Sequence, residues 1–144
     1  MAHTPRLLGV DYGDARTGVA VSDAIGFITG EAWVIEERAA ASLAARVADA
    51  ARERGVVSVA LGYPLNMDGT PGRRAGKTEA LAERLRERGL DVVLWDERRT
   101  TADAHRILSE AGARGRKRKK TVDAVAASLI LEGYLAYLRN GGGK

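Results

Sequence analysis

Between residues 6 and 35 the chain carries three short apolar runs joined by connections too brief to hold a helix. Residues 6 to 11 read as a strand, "DARTG" as a turn, "VAVSD" as the end of a second strand, and "AIG" leads into a third at 28 to 35. Such spacing predicts an antiparallel meander. From residue 40 the period changes. "AASLAARVADAARER" sets Leu43, Val47 and Ala51 on one helical face and stops at Gly55, a fitting C′ glycine. "VVSVALGYP" and "DVVLWDERR" are strand-like and bracket a helix that carries Leu81 and Leu85 inward and ends at Gly89. Thr100 and Asp103 make a capping-box-like start to "TADAHRILSEAG", and Thr121 can cap a last helix, "VDAVAASLILEGYLAYL".

The predicted order is β-β-β-α-β-α-β-α-α. Strands separated by helices require parallel crossovers, so the sheet is expected to be mixed and five-stranded: an antiparallel β1-β2-β3 meander, then parallel β4 and β5, flanked by helices. One α/β domain over 1–138 suffices for 144 residues, with 139–144 expected to be a disordered tail. No apolar run reaches the roughly 18 to 20 residues of a membrane span, and no signal pattern opens the chain, so the expected location is cytoplasmic.

"LLGVDYGDARTGVAVSD" places Asp11 directly after an apolar strand, where a carboxylate is costly to bury without a cationic partner. If strands one, four and five are parallel, their carboxyl ends share one edge, the edge at which open α/β sheets bind ligands. Asp11, the end of "GYPLN", and Asp96 with Glu97 all reach it, and Asp123 in the last helix is a fourth acid. Each has a plain structural alternative. Asp11 can anchor a turn, Asp96 and Glu97 can pair with Arg98 and Arg99, and Asp123 can complement a helix dipole. Together, in a chain with no cysteine and only two histidines, they suit Mg²⁺ or Mn²⁺, which take oxygen ligands and retain substrate phosphates. Paired ions of this kind hydrolyse phosphodiesters.

Charge points the same way. The 23 Lys and Arg outnumber the 19 Asp and Glu, yet "RGRKRKK", residues 114 to 120, holds the whole excess. Arg114, Arg116, Lys117, Arg118, Lys119 and Lys120 form a local cationic segment suited to a nucleic-acid backbone, and like-charge repulsion predicts that 112–120 is mobile. Arg16 can meet a phosphate or neutralise Asp14. Tyr12 and Tyr63 flank the edge and can stack on bases or fill the core. Gly13 can take positive φ, and Gly9 and Gly18 allow backbone or substrate to approach. "GRRAGKT", residues 72 to 78, ends like a P-loop but has one residue too few between its glycines, and reads as the opening of a helix.

"LGVDYGDARTGVAVSD", "GYPLNMDGTPGRRAGKTEALAERL", "DERRTTADAHRIL" and "KKTVDAVAASLILEGYL" together resemble the YqgF family, also called RuvX, over nearly the whole chain. The resemblance implies an RNase H-like fold and a nuclease acting on the 5′ end of precursor 16S rRNA, with a pre-ribosomal particle as partner. It further implies that Asp11, Glu97 and Asp123 are the catalytic acids and hold the divalent metal, choosing Glu97 over Asp96. Tyr63 stands where leucine is usual in the family, and "DERRTT" replaces "DERLST"; neither touches an acid. Three other readings stay open at this point: a resolvase of branched DNA junctions with the same acids, a non-catalytic RNA-binding assembly factor, and, more remotely, an actin-like ATPase.

Overall fold

The computed structural model describes residues 6–23, 29–64, 66, 68–96 and 115–139, the stretch 115–122 by its backbone alone. In chain order the elements are β1 (Leu7–Asp11), β2 (Arg16–Ser22), β3 (Thr29–Glu36), α1 (Ala40–Glu53), β4 (Ser58–Tyr63), α2 (Ala75–Glu87), β5 (Asp91–Asp96) and α3 (Gly115–Arg139). The sheet has the order β3-β2-β1-β4-β5, antiparallel through β3, β2 and β1 and parallel through β1, β4 and β5. This is the mixed sheet that the change of hydrophobic period predicts. The helix expected over 101–112 lies outside the described residues.

Both faces of the sheet are covered, which is why β1 is apolar along its length rather than alternating. Leu8, Val10, Val19 and Val21 join Leu43, Val47, Leu81 and Leu85 in one core, under α1 and α2. Leu7 and Ala20 face the other way and pack with Ala127, Leu131 and Leu135 of α3. Successive strand residues point to opposite faces. In β1, therefore, Leu7, Gly9 and Asp11 look toward α3, and Leu8 and Val10 look toward α1 and α2. Gly55 and Gly89 come after α1 and α2 with φ of 67° and 89°, the left-handed conformation expected of C′ glycines. No described helix is long and apolar enough to cross a membrane.

Three local expectations are corrected. Arg16, Thr17 and Gly18 belong to β2 rather than to the turn, because Thr17 and Gly18 pair with Ile35 and Val34 of β3. Gly13 does not have a positive φ; it is small because a Cβ there would lie 2.2 Å from the carbonyl oxygen of Arg16. Residues 115–120, expected to precede a helix capped at Thr121, are the first turns of α3. Lys and Arg are good helix formers, and salt screens their repulsion along an exposed helix.

Candidate active site

Asp11 is the last residue of β1, half-buried at the carboxyl end of the sheet, and its partner across the antiparallel pair is Gly18. Directly opposed residues share a face. On that face α3 comes very close. A Cβ on Gly18 would sit 1.9 Å from the carbonyl oxygen of Asp123, and one on Gly9 would sit 2.6 Å from that of Ala127 and 2.7 Å from Leu131 Cβ. Glycine at 9 and 18 thus lets the α3 backbone rest against the sheet. The sequence left open whether backbone or substrate makes this approach, and it is the helix backbone that does.

The same packing brings Asp123 over the strand end. Its carboxylate faces Arg16, the first residue of β2, with Arg16 Nε 3.5 Å from Asp123 Oδ2 and both side chains mostly covered. Burial pushes the Asp123 carboxyl above the usual range, and the Arg16 guanidinium pulls it back. Arg16 Nε is buried without a well-formed hydrogen bond, so this pair is a charge contact rather than a tight bidentate fork. Arg16 therefore answers to Asp123, and the alternative of neutralising Asp14 is set aside.

Asp14 has other partners. It sits in the turn between Asp11 and Arg16, where Arg74 Nη1 donates to it and Lys77 Nζ lies 3.4 Å away. The Arg74 hydrogen bond and charge, with a smaller contribution from Lys77, hold its carboxyl below the usual range. Arg74 also donates through Nη2 to the Tyr12 carbonyl at 3.3 Å and lies over the Tyr12 ring, 5.1 Å from its centroid. One side chain grips the turn at three points. From the other side, the Gly13 amide donates to Thr17 Oγ1 at 3.3 Å. Arg74 did not stand out in the sequence, although "GRRAGKT" was the segment whose role stayed unexplained. Lys77 pairs with Asp14, and buried Thr78 donates to the Arg74 carbonyl at 3.1 Å, closing the first turn of α2. Arg74→Ala is expected to lower turnover about tenfold to a hundredfold by loosening the turn between Asp11 and Arg16. A cleavage assay with a thermal melt beside it checks this: an unchanged rate would show that the turn holds itself.

Asp96 is not brought beside Asp11. It pairs in register with Tyr63, whose hydroxyl donates to Glu79 of α2, so this row lies on the α2 face of the sheet. Tyr12 packs on the same face, against the core, and beneath Arg74. Trp95, one residue earlier, faces α3, edge-on to Tyr134 and Tyr137 at 5.5 and 5.6 Å. Glu97 and Arg114 lie outside the described residues, and Arg116, Lys117, Arg118, Lys119 and Lys120 are placed by backbone only, at the start of α3. Among the described residues no three acids or histidines gather as a metal cluster; Asp11 and Asp123 are two acids on the α3 side of the same sheet edge. Both are oxygen donors, and the nearest cation is an Arg that cannot itself ligate. The pair fits a hard divalent ion.

α3 runs from Asp123 over Gly18, past Gly9, to Leu135 beside Leu7, that is, toward the amino end of β1. Its first eight residues therefore project about 12 Å beyond the carboxyl edge, at 1.5 Å per residue. The basic segment extends outward from the acids.

A profile of the RuvX family, described as Holliday junction resolvase, matches residues 5–137. A protein of Ruminiclostridium cellulolyticum named "Putative pre-16S rRNA nuclease" is 40% identical over 132 residues, covering 90% of this chain and 93% of the relative. One of the same name from Agathobacter rectalis is 44% identical over 140 residues, covering 94% and 97%. Among solved structures, Thermus thermophilus RuvC in complex with a Holliday junction aligns with a TM-score of 0.59 and 14% identity over 96% of this chain and 97% of that one. Fowlpox virus resolvase with junction DNA aligns at 0.58 and 12% over 92% and 98%. At these identities the likeness is one of fold, and the fold is the RNase H-like one.

Proposed function

This chain belongs to the RuvX family, and on that premise we propose that it is a metal-dependent nuclease that processes the 5′ end of precursor 16S rRNA in the cytoplasm, on or beside a pre-ribosomal particle. The observation that carries the reading is the seating of Asp123 against Gly18, the register partner of Asp11. This seating supports a site in which two acids distant in sequence share the sheet edge where ligands bind in such folds. Glu97 is the third acid in this reading. Asp96 lies on the α2 face, opposite to Asp11, and the next residue of the chain is the acid that remains.

Asp11, Asp123 and Glu97 would hold Mg²⁺ or Mn²⁺, which when bound activates water and stabilises the leaving oxygen. The chain's own residues do the rest. Arg16 offsets part of the cost that burial imposes on the Asp123 charge. Its side chain, 31% exposed, stands beside Asp123, and in this reading its exposed part meets a phosphate. The basic segment 114–120 gives a backbone contact that is sequence-independent and salt-sensitive.

RNA is favoured over branched DNA because the relatives at about 40% identity carry the rRNA name over nine-tenths of the chain. The junction reading rests on the family description and on structures with 12–14% identity. Cleavage of a 5′-extended 16S precursor and of a synthetic four-way junction, side by side with Mg²⁺ or Mn²⁺, separates them. The RNA is expected to be cut within its 5′ extension. Symmetric nicking of the junction with no RNA cleavage would reverse the assignment.

A further inference from the structure

The loop between β4 and α2 is exposed, yet it is held by more side-chain bonds than its burial explains. Asn66 Nδ2 donates to Thr70 Oγ1 at 3.0 Å and to the Pro71 carbonyl at 3.3 Å, and Thr70 donates to Asp68 Oδ1 through both its amide and its hydroxyl. The Gly72 amide donates to the Pro64 carbonyl at 2.7 Å, so the loop closes on the end of β4. A Cβ at Gly72 would occupy that contact. Immediately after Gly72 the chain carries three cations, Arg73, Arg74 and Lys77.

These three have different duties. Arg74 is committed to the turn after Asp11 and neutralises Asp14. Lys77 approaches the same carboxylate only at 3.4 Å, and both groups are about two-thirds exposed, so the pair adds little and its ammonium can take another anion. Arg73 is exposed and makes no hydrogen bond or ion pair among the described residues. The nearby acids are already engaged: Asp14 by Arg74, Asp68 by Thr70, and Glu79 by Tyr63. No acid lies in the first turn of α2 to offset them. Arg73, next to hydrogen-bonded Gly72, and Lys77, in the first turn of α2 and only weakly paired, are carried on ordered backbone, and cations so placed lose little freedom when an anion arrives.

Position adds to charge. Lys77 is tied, through Asp14, to the turn joining Asp11 to Arg16. It comes to that turn from the α2 face, whereas the basic start of α3 projects from the opposite face. We propose that Arg73 and Lys77 form a second backbone-phosphate contact for the nucleic acid, on the α2 side of the acids, so that the strand is gripped on both sides of the point of cleavage. This rests on the nuclease reading. The aromatic ring beside the loop, Tyr63 at the end of β4, is held by Glu79, so the contact reads phosphate rather than base.

Binding of the 5′-extended 16S precursor RNA to Asp11→Asn protein, titrated with salt, isolates the contact from cleavage. Adding Arg73→Ala and Lys77→Ala should weaken binding about tenfold near physiological salt and lower the log–log salt slope by about 1 to 2. The charge-keeping exchange Arg73→Lys with Lys77→Arg should restore most of both. Unchanged affinity and slope in the double alanine variant would overturn the proposal. Cleavage of the same RNA by the wild-type chain separates the two readings. RNA that is cut, with an unchanged slope in the variant, overturns the contact alone; RNA that is bound with the lowered slope but never cut overturns the nuclease reading and supports the contact; RNA that is not bound at all overturns both.

Discussion

Asp11→Asn is expected to lower metal-dependent cleavage of precursor RNA by roughly three orders of magnitude while leaving the melting temperature nearly unchanged. The exchange keeps the size of the side chain and removes its charge. β1 holds its place through backbone pairing on both sides, with β2 at residues 8–11 and β4 at residues 7–10, and that pairing does not need the carboxylate. Asparagine at the strand end can still accept and donate hydrogen bonds, so the exchange is expected to change stability by little. Calorimetric titration with Mg²⁺ or Mn²⁺ should show the loss directly, as weakened ion binding by the variant. Asp96→Asn is the matched control, the same residue type at the end of β5, a parallel strand separated from β1 by β4, but on the α2 face, and it should cleave nearly as well as wild type. An Asp11→Asn protein that cleaves at the wild-type rate would overturn the site. One that has lost cleavage yet still supports ribosome maturation in cells would make the protein an assembly factor.

The strands and their order were legible because the period of apolar residues changes at residue 40, and a change of period can be read locally. The shared edge at the carboxyl ends of β1, β4 and β5 was legible for the same reason: parallel strands must end together. What one sequence could not show was which face each acid takes. Asp96 and Glu97 are equivalent to any local rule, and only the pairing of Tyr63 with Asp96 and the tie of Tyr63 to Glu79 put Asp96 on the α2 side. Nor could it separate the two uses of a small residue. Gly9 and Gly18 lie near Asp11, which fits room for substrate, but the constraint comes from α3, more than 100 residues later in the chain. Arg16 was ambiguous because Asp14 is its neighbour in sequence, while its partner in space is Asp123. Arg74 was hidden for the converse reason: its hydrogen bonds reach back sixty residues to a turn. At the start of α3 the helix propensity of Lys and Arg outweighs the charge repulsion that makes the same segment read as a mobile loop.

Gly18→Ala tests that long-range constraint and should be the most damaging single methyl group in the chain. The added Cβ would lie 1.9 Å from the Asp123 carbonyl oxygen, 2.5 Å from its carbonyl carbon and 3.2 Å from the Ala124 nitrogen. All three are backbone atoms, so no rotamer change relieves the overlap. Gly18 is itself fixed between Asp11 and Val34 in the middle of the meander. The helix must therefore lift by about 1 Å or more, which separates Ala127 and Leu131 from Gly9 and opens the core that α3 shares with Leu7 and Ala20. Overpacking against rigid backbone with loss of core contacts should cost about 3–5 kcal/mol in urea unfolding. Because Asp123 moves with the helix, cleavage should fall about a hundredfold even in the fraction that stays folded. Gly76→Ala supplies the contrast. Gly76 lies in α2 with nothing within 4 Å of a new Cβ, and alanine there should stabilise by up to about 1 kcal/mol. If Gly18→Ala were as stable and as active as wild type, α3 could not rest on β2 at this point, and the proposed site that joins Asp123 to Asp11 would fall with it.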